Sequence, residues 1–541
     1  MCSVDSVNKD RVELLLAKFM MWLNHFSSSS IFICSAVVAA IVYFIFHSLM
    51  QKEQEIYSSG TGKLSRRLGF FERYFLTRAT DNNIGHINTV LLLNSNVKLD
   101  PDHVKKALLM LLKRFPLLRM RVTVDKFRQP CFDEMEYPQK SLDFQSMVDV
   151  NSDDWLNAFE KQINGAPFNT LQGPLWRVAL LTETCESSGQ EHLYKNTLLF
   201  TFHHVIADAL SVFELKKKLI EYLGLLYKGE DIEVKRLPFR SPIEEAMKNL
   251  TRPNMWQRFM TLMHLTIRKL RVLRVYYMFY SKSKRVDNLY LSTFPPPYSH
   301  SVAQKTCAVP RSLSREDTMA VIRCSKRNEC TVHGAVTAAT NLAMARILQE
   351  NCASDVKAWS PLSINSTYTV NIRKECQPKI ESEEFGLYSL FDSLHITINA
   401  IPIEGVESFW EFARSCTKEV HDRIDSGKHQ EVLNFFQCVN IPSVWALSCY
   451  ETEHGLQREI FNLTNLGVLS IDEEGESPYK FAGSYLAVQT AQVCFIFSHN
   501  IFTINGHLYW TGAYSPEITT ASQAEEFVDL SIRILMDACA S

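Results

Sequence analysis

Apolar positions along the chain fall in turn into helical and strand rhythms. Asp102 to Leu117 (DHVKKALLMLLKRFPL) sets Val104, Leu108, Leu111 and Leu112 on one side and Lys105, Lys106 and Lys113 on the other, the spacing of a surface helix. Pro116 ends it, and Leu118 to Val124 (LRMRVTV) alternates as a strand does. Asn151 to Asn164 predicts another helix, Leu175 to Thr182 and Leu193 to Phe202 two strands, and Asp208 to Lys228 a long helix.

The second half repeats the mixture. Ser314-Arg315-Glu316-Asp317 suits a helix N-terminus, with a hydroxyl cap and an acid three residues on. Val332 to Gln349 predicts a helix whose small residues allow close packing, and Glu407 to Ile424 another. Leu486 to Phe497, Ile501 to Ile504 and His507 to Ala513 predict antiparallel strands around the turn Ile504-Asn505-Gly506-His507, before a last helix at Ala521 to Leu535. No repeat of 20–50 residues occurs, so the expected fold class is α/β (α+β).

Two interruptions set the boundaries. Ile31 to Met50 (IFICSAVVAAIVYFIFHSLM) contains no Asp, Glu, Lys or Arg. At about 1.5 Å per residue its length approaches the roughly 30 Å of a bilayer's hydrocarbon core. It starts too far in for a signal peptide, so residues 1–63 read as a leader with a membrane anchor at 31–50; a helix buried against the body is the alternative. Arg11 to Phe26 is a second, mildly amphipathic apolar stretch. From 251 to 300, Arg258, Arg268, Lys269, Arg271 and Arg274 interleave with Met255, Trp256, Met260 and Leu270 before a stiff linker at Phe294 to Tyr298. Such a basic amphipathic region either lies on an anionic membrane surface or packs between lobes. The division is therefore 64–250 for one lobe and 301–541 for the other.

Composition narrows the function classes. Across 541 residues the net charge is only -2, which offers no field for nucleic acid. The 14 cysteines form no CxxC pair or zinc-spaced cluster, and read as isolated thiols in a reducing compartment. The chemistry concentrates at His203-His204-Val205-Ile206-Ala207-Asp208, where a strand gives way to a helix. An imidazole there has the proton affinity that acyl transfer requires of a base. The residues alone leave other readings open: core histidines, Asp208 as a helix cap, or a metal pair, although adjacent strand residues face opposite ways and no third ligand appears.

The surrounding strings add to this. Arg67-Leu68-Gly69-Phe70-Phe71-Glu72-Arg73, Pro167-Phe168-Asn169, Gly173-Pro174-Leu175-Trp176-Arg177, Val370-Asn371-Ile372-Arg373 and Asn465-Leu466-Gly467 occur in that order. Together with the HHxxxD string, this set resembles the condensation-domain-like, CoA-dependent acyltransferase superfamily, and within it the alcohol acetyltransferases. The resemblance implies two chloramphenicol-acetyltransferase-like lobes forming a tunnel. It implies His204 as general base, His203 as a positioning residue and Asp208 as a structural carboxylate, with Arg373 the candidate partner. The Asp-Phe-Gly-Trp-Gly string of the plant branch is absent, and Asn465 is the candidate for the oxyanion.

The expected activity is transfer of an acyl group from acyl-CoA, a co-substrate rather than a bound cofactor, to a small alcohol, amine or lipid acceptor, with no metal and no nucleic acid involved. Wax-ester or glyceride synthesis, carrier-dependent condensation and a non-catalytic binding protein of the same fold are the alternatives. Lys52, Lys63, Arg66 and Arg67 after the anchor give a slight positive excess. That excess predicts a single-pass protein of the endoplasmic reticulum with its lobes in the cytosol.

Overall fold

Two sheets, each fed by these apolar runs, organise the body. The computed structural model describes residues 63–82, 84–137, 139, 142–148, 154–185, 193–247, 253–280, 288–296, 305–351, 362–398, 405–453, 459–471, 477–489 and 495–540. The anchor expected at 31–50 lies outside the described residues, as do 281–287 and 297–300 of the basic segment.

The strands are Ser65–Arg67 (β1), Ile87–Ser95 (β2), Met120–Val124 (β3), Pro130–Glu134 (β4), Phe144–Val148 (β5), Trp176–Cys185 (β6), Leu193–Phe202 (β7), Cys307–Ser312 (β8), Leu362–Asn371 (β9), Ser389–Ile398 (β10), Phe461–Leu469 (β11), Tyr479–Val488 (β12), Phe497–Ile504 (β13) and His507–Tyr514 (β14). The helices of eight residues or more are Phe70–Asn82 (α1), Pro101–Arg114 (α2), Trp155–Ile163 (α3), Ala209–Lys228 (α4), Met255–Tyr280 (α5), Arg315–Arg327 (α6), Val332–Asn351 (α7), Val406–Asp425 (α8), Glu431–Cys438 (α9), Ile441–Glu453 (α10) and Ala521–Cys539 (α11).

The N-terminal lobe carries the sheet β12-β2-β7-β6-β5. Along β7 the side chains alternate: Leu198, Phe200 and Phe202 join Leu108 and Leu111 of α2 and Leu215 and Leu219 of α4 in one core, while Leu199 meets Phe159 and Ile163 of α3 on the other face. The C-terminal lobe carries β10-β9-β11-β13-β14-β8, and a three-stranded sheet β1-β4-β3 flanks the first lobe. The small residues of α7 do what their size permits: Ala335, Ala338, Ala339 and Ala343 are wholly buried, and a Cβ on Gly334 would collide with Thr417 of α8.

One expectation requires correction. Leu486 to Phe497 is not a single strand: β12 ends at Val488, β13 begins at Phe497, and the two belong to different sheets. β12 leaves the C-terminal half and pairs antiparallel with β2, from Tyr479 opposite Ser95 to Val488 opposite Ile87. The polar Gln489-Thr490-Ala491-Gln492 interrupts the apolar run at this point, whereas a partner strand some four hundred residues upstream leaves no local signal. The hairpin that follows is longer than expected but keeps its turn, with positive φ at Asn505 (50°) and Gly506 (85°), the two left-handed positions of a type I′ turn.

Within the C-terminal core, His499 of β13 is fully enclosed against Phe461 and Phe527, and its Nδ1 accepts a hydrogen bond from Trp510 Nε1 at 2.9 Å. An acceptor nitrogen must be unprotonated, and burial holds the ring's pKa down to about 3. The unfolded chain takes up a proton near pH 6.5 that the native ring refuses, so this group withdraws stability as pH falls from 6.5 towards 3. Denaturant titrations of wild type and His499→Gln between pH 7 and 4.5 should show wild type losing stability relative to the variant below pH 6.5, with a slope that approaches about 1.4 kcal/mol per pH unit by pH 5. Parallel curves would mean that the ring titrates normally.

Candidate active site

Leu68 to Arg73 sets the entrance to α1. Arg66 forks onto Glu72 at 2.7 and 2.6 Å, and Glu72 Oε2 also accepts from Gly69 N at 2.8 Å, tying the first turn of the helix to β1. Gly69 is required by space, since a Cβ there would lie 2.6 Å from Pro242 Cβ. α1 thereby enters the core of the C-terminal lobe through Phe71, Tyr74 and Phe75.

β7 ends at Phe202, so His203 and His204 lie just past the strand, His204 in the turn before α4, and the two rings meet different surroundings. His203 is buried, and its Nδ1 accepts from Val205 N at 3.1 Å, which leaves the proton on an Nε2 that has no partner. Its ring faces His86, 5.4 Å away between centroids, and Phe168. His86 Nδ1 bonds Gln489 Oε1 at 3.0 Å, so its own unpartnered Nε2 is a bare acceptor. Gln489 follows directly on the crossing strand β12, and its backbone N–H also donates to His86 O. Burial first, and then neighbouring positive charge, lowers both rings: His86 to about 4, and His203 well below the ordinary range.

His204 points the other way and stacks on Phe75 at 3.9 Å between centroids, with 20° between planes. It is the only residue between 201 and 208 that is not buried. Its Nδ1 is enclosed, which leaves Nε2 as the nitrogen open to an incoming group. Burial is the main cause that lowers its pKa to about 4, and the Arg78 charge acts in the same direction. The ring is neutral at pH 7, the form in which a base accepts a proton.

Asp208 both caps α4 and anchors Arg373. Oδ1 accepts from Ser211 N at 2.8 Å and Oδ2 from Tyr388 N at 2.9 Å. Arg373 closes on both oxygens, Nη1 to Oδ2 and Nη2 to Oδ1, each at 2.9 Å, while Nη2 also donates to Ser211 Oγ at 2.8 Å. Burial works to raise the Asp208 pKa, but Arg373 and these donors outweigh it and hold the carboxyl below its usual range. The cap and the ion-pair readings of Asp208 are thus both true of one carboxylate.

Asn465, the oxyanion candidate, lies on β11, where its Oδ1 accepts from Gly467 N at 2.9 Å across a bulge; its described bonds do not reach the histidines. Sequence reasoning passed over His86, Gln489, Phe75 and Arg78, each a lone residue outside any string. Among the described residues no group of three His, Cys, Asp or Glu is placed to hold a metal ion.

Removing Asp208 leaves a buried guanidinium without its anion, so Asp208→Ala should cost roughly 3–5 kcal/mol of stability. In a double-mutant cycle with Arg373→Met, denaturant unfolding should give a coupling energy above about 1 kcal/mol. Additive losses would show that the two charges are stabilised by other groups.

The comparisons with known proteins bear on the fold and the family. Residues 72–257 match the model of the condensation domain, and residues 304–472 match that of the phthiocerol/phthiodiolone dimycocerosyl transferase C-terminus. No curated protein matches in sequence. Among solved structures, trichothecene 15-O-acetyltransferase from Fusarium sporotrichioides superposes with a TM-score of 0.64 at 12% identity, covering 90% of this chain and 97% of that one. Polyketide synthase associated protein 5 from Mycobacterium tuberculosis gives 0.54 at 12% identity over 88% and 98% of the two chains. The starter condensation domain of rhizomide synthetase, solved with C8-CoA, gives 0.52 at 13% identity over 88% and 95%. The two models fall one on each lobe, around the two halves of the Asp208–Arg373 pair, and the chain belongs to the condensation-domain-like superfamily of acyltransferases.

Proposed function

We propose that the chain transfers an acyl group from acyl-CoA to the hydroxyl or amine of an acceptor, with His204 as general base. The observation that carries this is the His204 ring, partly exposed, stacked on Phe75 and with its Nδ1 enclosed, which leaves Nε2 to meet the acceptor. The acceptor O–H or N–H gives its proton to Nε2 as its heteroatom attacks the thioester carbonyl. Collapse of the tetrahedral intermediate breaks the C–S bond, and the departing thiolate of CoA takes the proton back from the imidazolium. No covalent enzyme intermediate is needed. Asp208 and Arg373 act at a distance, fixing the turn that aims His204.

A lipid acceptor, as in wax-ester or glyceride synthesis, is favoured by the surface of α5. Trp256, Met260, Met263, Ile267 and Leu270 follow the i, i+4, i+7, i+11, i+14 spacing of one helical stripe. Trp256, Met260, Ile267 and Leu270 of this stripe are exposed to 66, 48, 59 and 42%, beside the exposed Lys269. The other side of α5 is held down, with Leu265 packed on the C-terminal core and Arg268 paired with Glu451 of α10. An apolar stripe with a basic margin suits an anionic bilayer surface. With the anchor at 31–50, it would hold the lobes against the cytosolic face of the endoplasmic reticulum. No single described helix is long and apolar enough to span a membrane; α9 and α10 meet the test only as a pair bent by 111°.

His204→Ala should lower thiol release from acyl-CoA about 100- to 10,000-fold with normal melting. In wild type kcat/KM should stay level as pH is lowered from 8 to about 5, because a base with a pKa near 4 remains deprotonated there. A variant with wild-type rates would remove His204 from the chemistry.

Vesicle flotation tests the membrane reading. Residues 64–541 should float with phosphatidylcholine–phosphatidylserine vesicles, less so at high salt, and less again with Trp256→Ser and Ile267→Ser together. Equal recovery of the fragment in the soluble fraction with and without vesicles would reject it.

A further inference from the structure

Arg78, on the third turn of α1, is a cation walled into the protein. It is 6% exposed, and among the described residues no carboxylate pairs with it. Its Nε is enclosed without a hydrogen-bond partner. Three rings surround the guanidinium: Tyr74, Phe75 and Trp445 lie 5.4, 5.6 and 5.5 Å from Cζ. Gly85 lies on the remaining side without a side chain, and a Cβ added there would sit 3.4 Å from Nε and 3.6 Å from Nη2. Aromatic faces offset part of the cost of burying a charge, but they offer no acceptor for guanidinium N–H groups. Every other buried arginine described at this site or its frame has an acceptor: Arg66 has Glu72, and Arg373 has Asp208.

The position is informative. Phe75 lies between the two groups, carrying Arg78 against its ring and His204 stacked 3.9 Å away. Arg78 also bears electrostatically on both His86 and His204. A guanidinium presents coplanar N–H donors to which a carboxylate is the matching acceptor. The phosphates of CoA are unsuited to this place, because the pantetheine arm holds them far from the thioester that must meet His204.

We infer that Arg78 receives a carboxylate of one of the substrates, carried either by the acyl group or by the acceptor, and so selects anionic substrates beside the base. The inference rests on the acyl-transfer reading above and deepens it. A bound anion would also cancel the positive field that disfavours protonation of His204, so that the base is strengthened when the correct substrate is in place.

Matched pairs of probes separate the two sources. Succinyl-CoA against acetyl-CoA tests the acyl side; 4-(hydroxymethyl)benzoate against benzyl alcohol tests the acceptor side. With the full chain in detergent, thermal shift and thiol release are followed for wild type, Arg78→Met and Arg78→Lys. In one pair the carboxylate member should bind about 10- to 100-fold more tightly than its neutral partner, the factor expected of charge-assisted hydrogen bonds. Arg78→Met should abolish the preference without lowering the melting temperature, and Arg78→Lys should keep part of it. Absence of preference in both pairs overturns the inference, as does a preference that survives Arg78→Met, or a variant that merely melts earlier with affinities unchanged. If thiol release depends on His204 while no carboxylate preference exists, the anion site fails and acyl transfer stands. If the carboxylate preference depends on Arg78 while no pair supports transfer, the reverse holds.

Discussion

The fold turns on the pair Asp208–Arg373. Asp208 stands between β7 and α4 in the N-terminal lobe, and Arg373 follows β9 of the C-terminal sheet. Two desolvated charges repay their burial only when geometry is nearly ideal and remaining donors are satisfied. Here the fork is symmetrical, and Ser211 and Tyr388 complete the carboxylate. Gly386, close by in the chain, accepts from Asp208 N and exchanges further bonds with the Ser211 hydroxyl. The loop that binds the lobes together is the loop that aims the histidines.

A second dependence runs through the helix α1. Its first turn is locked by Arg66, Glu72 and Gly69 to the small sheet of the N-terminal lobe, while its inner face joins the core of the C-terminal lobe. The helix delivers Phe75 against His204, and Gln489, directly after β12, bonds His86, whose ring faces His203. Each side of the HHxxxD turn is therefore supported by residues that reach it from the opposite half of the chain or from the join between halves.

How much of this was legible depended on range. Local signals worked: β7 has the bounds that its apolar run announces, the Asp208 and Ser314 caps are present, and Asn505-Gly506 forms its turn. The Asp208–Arg373 pair was reached through a family likeness, since 165 residues separate its members and neither flank marks the other. β12 was misread because its pairing is decided by β2 and not by its own sequence. His86 and Arg78 were invisible for a different reason: a single histidine or arginine carries no pattern, and its meaning comes from what encloses it. α5 was seen as amphipathic, yet only the structure shows which side is left uncovered.

The crossing of β12 bears on how this protein can be divided and produced. A polypeptide ending in the linker near residue 296 would hold every helix of its own lobe and still lack one strand, leaving β2 as a long, apolar sheet edge open along its whole length. Open edges of that kind recruit other strands. The N-terminal half made alone would therefore recruit itself, whereas the two halves made together could restore the sheet by strand donation. During synthesis the ribosome must release the first lobe unfinished, its edge exposed until nearly two hundred further residues have emerged.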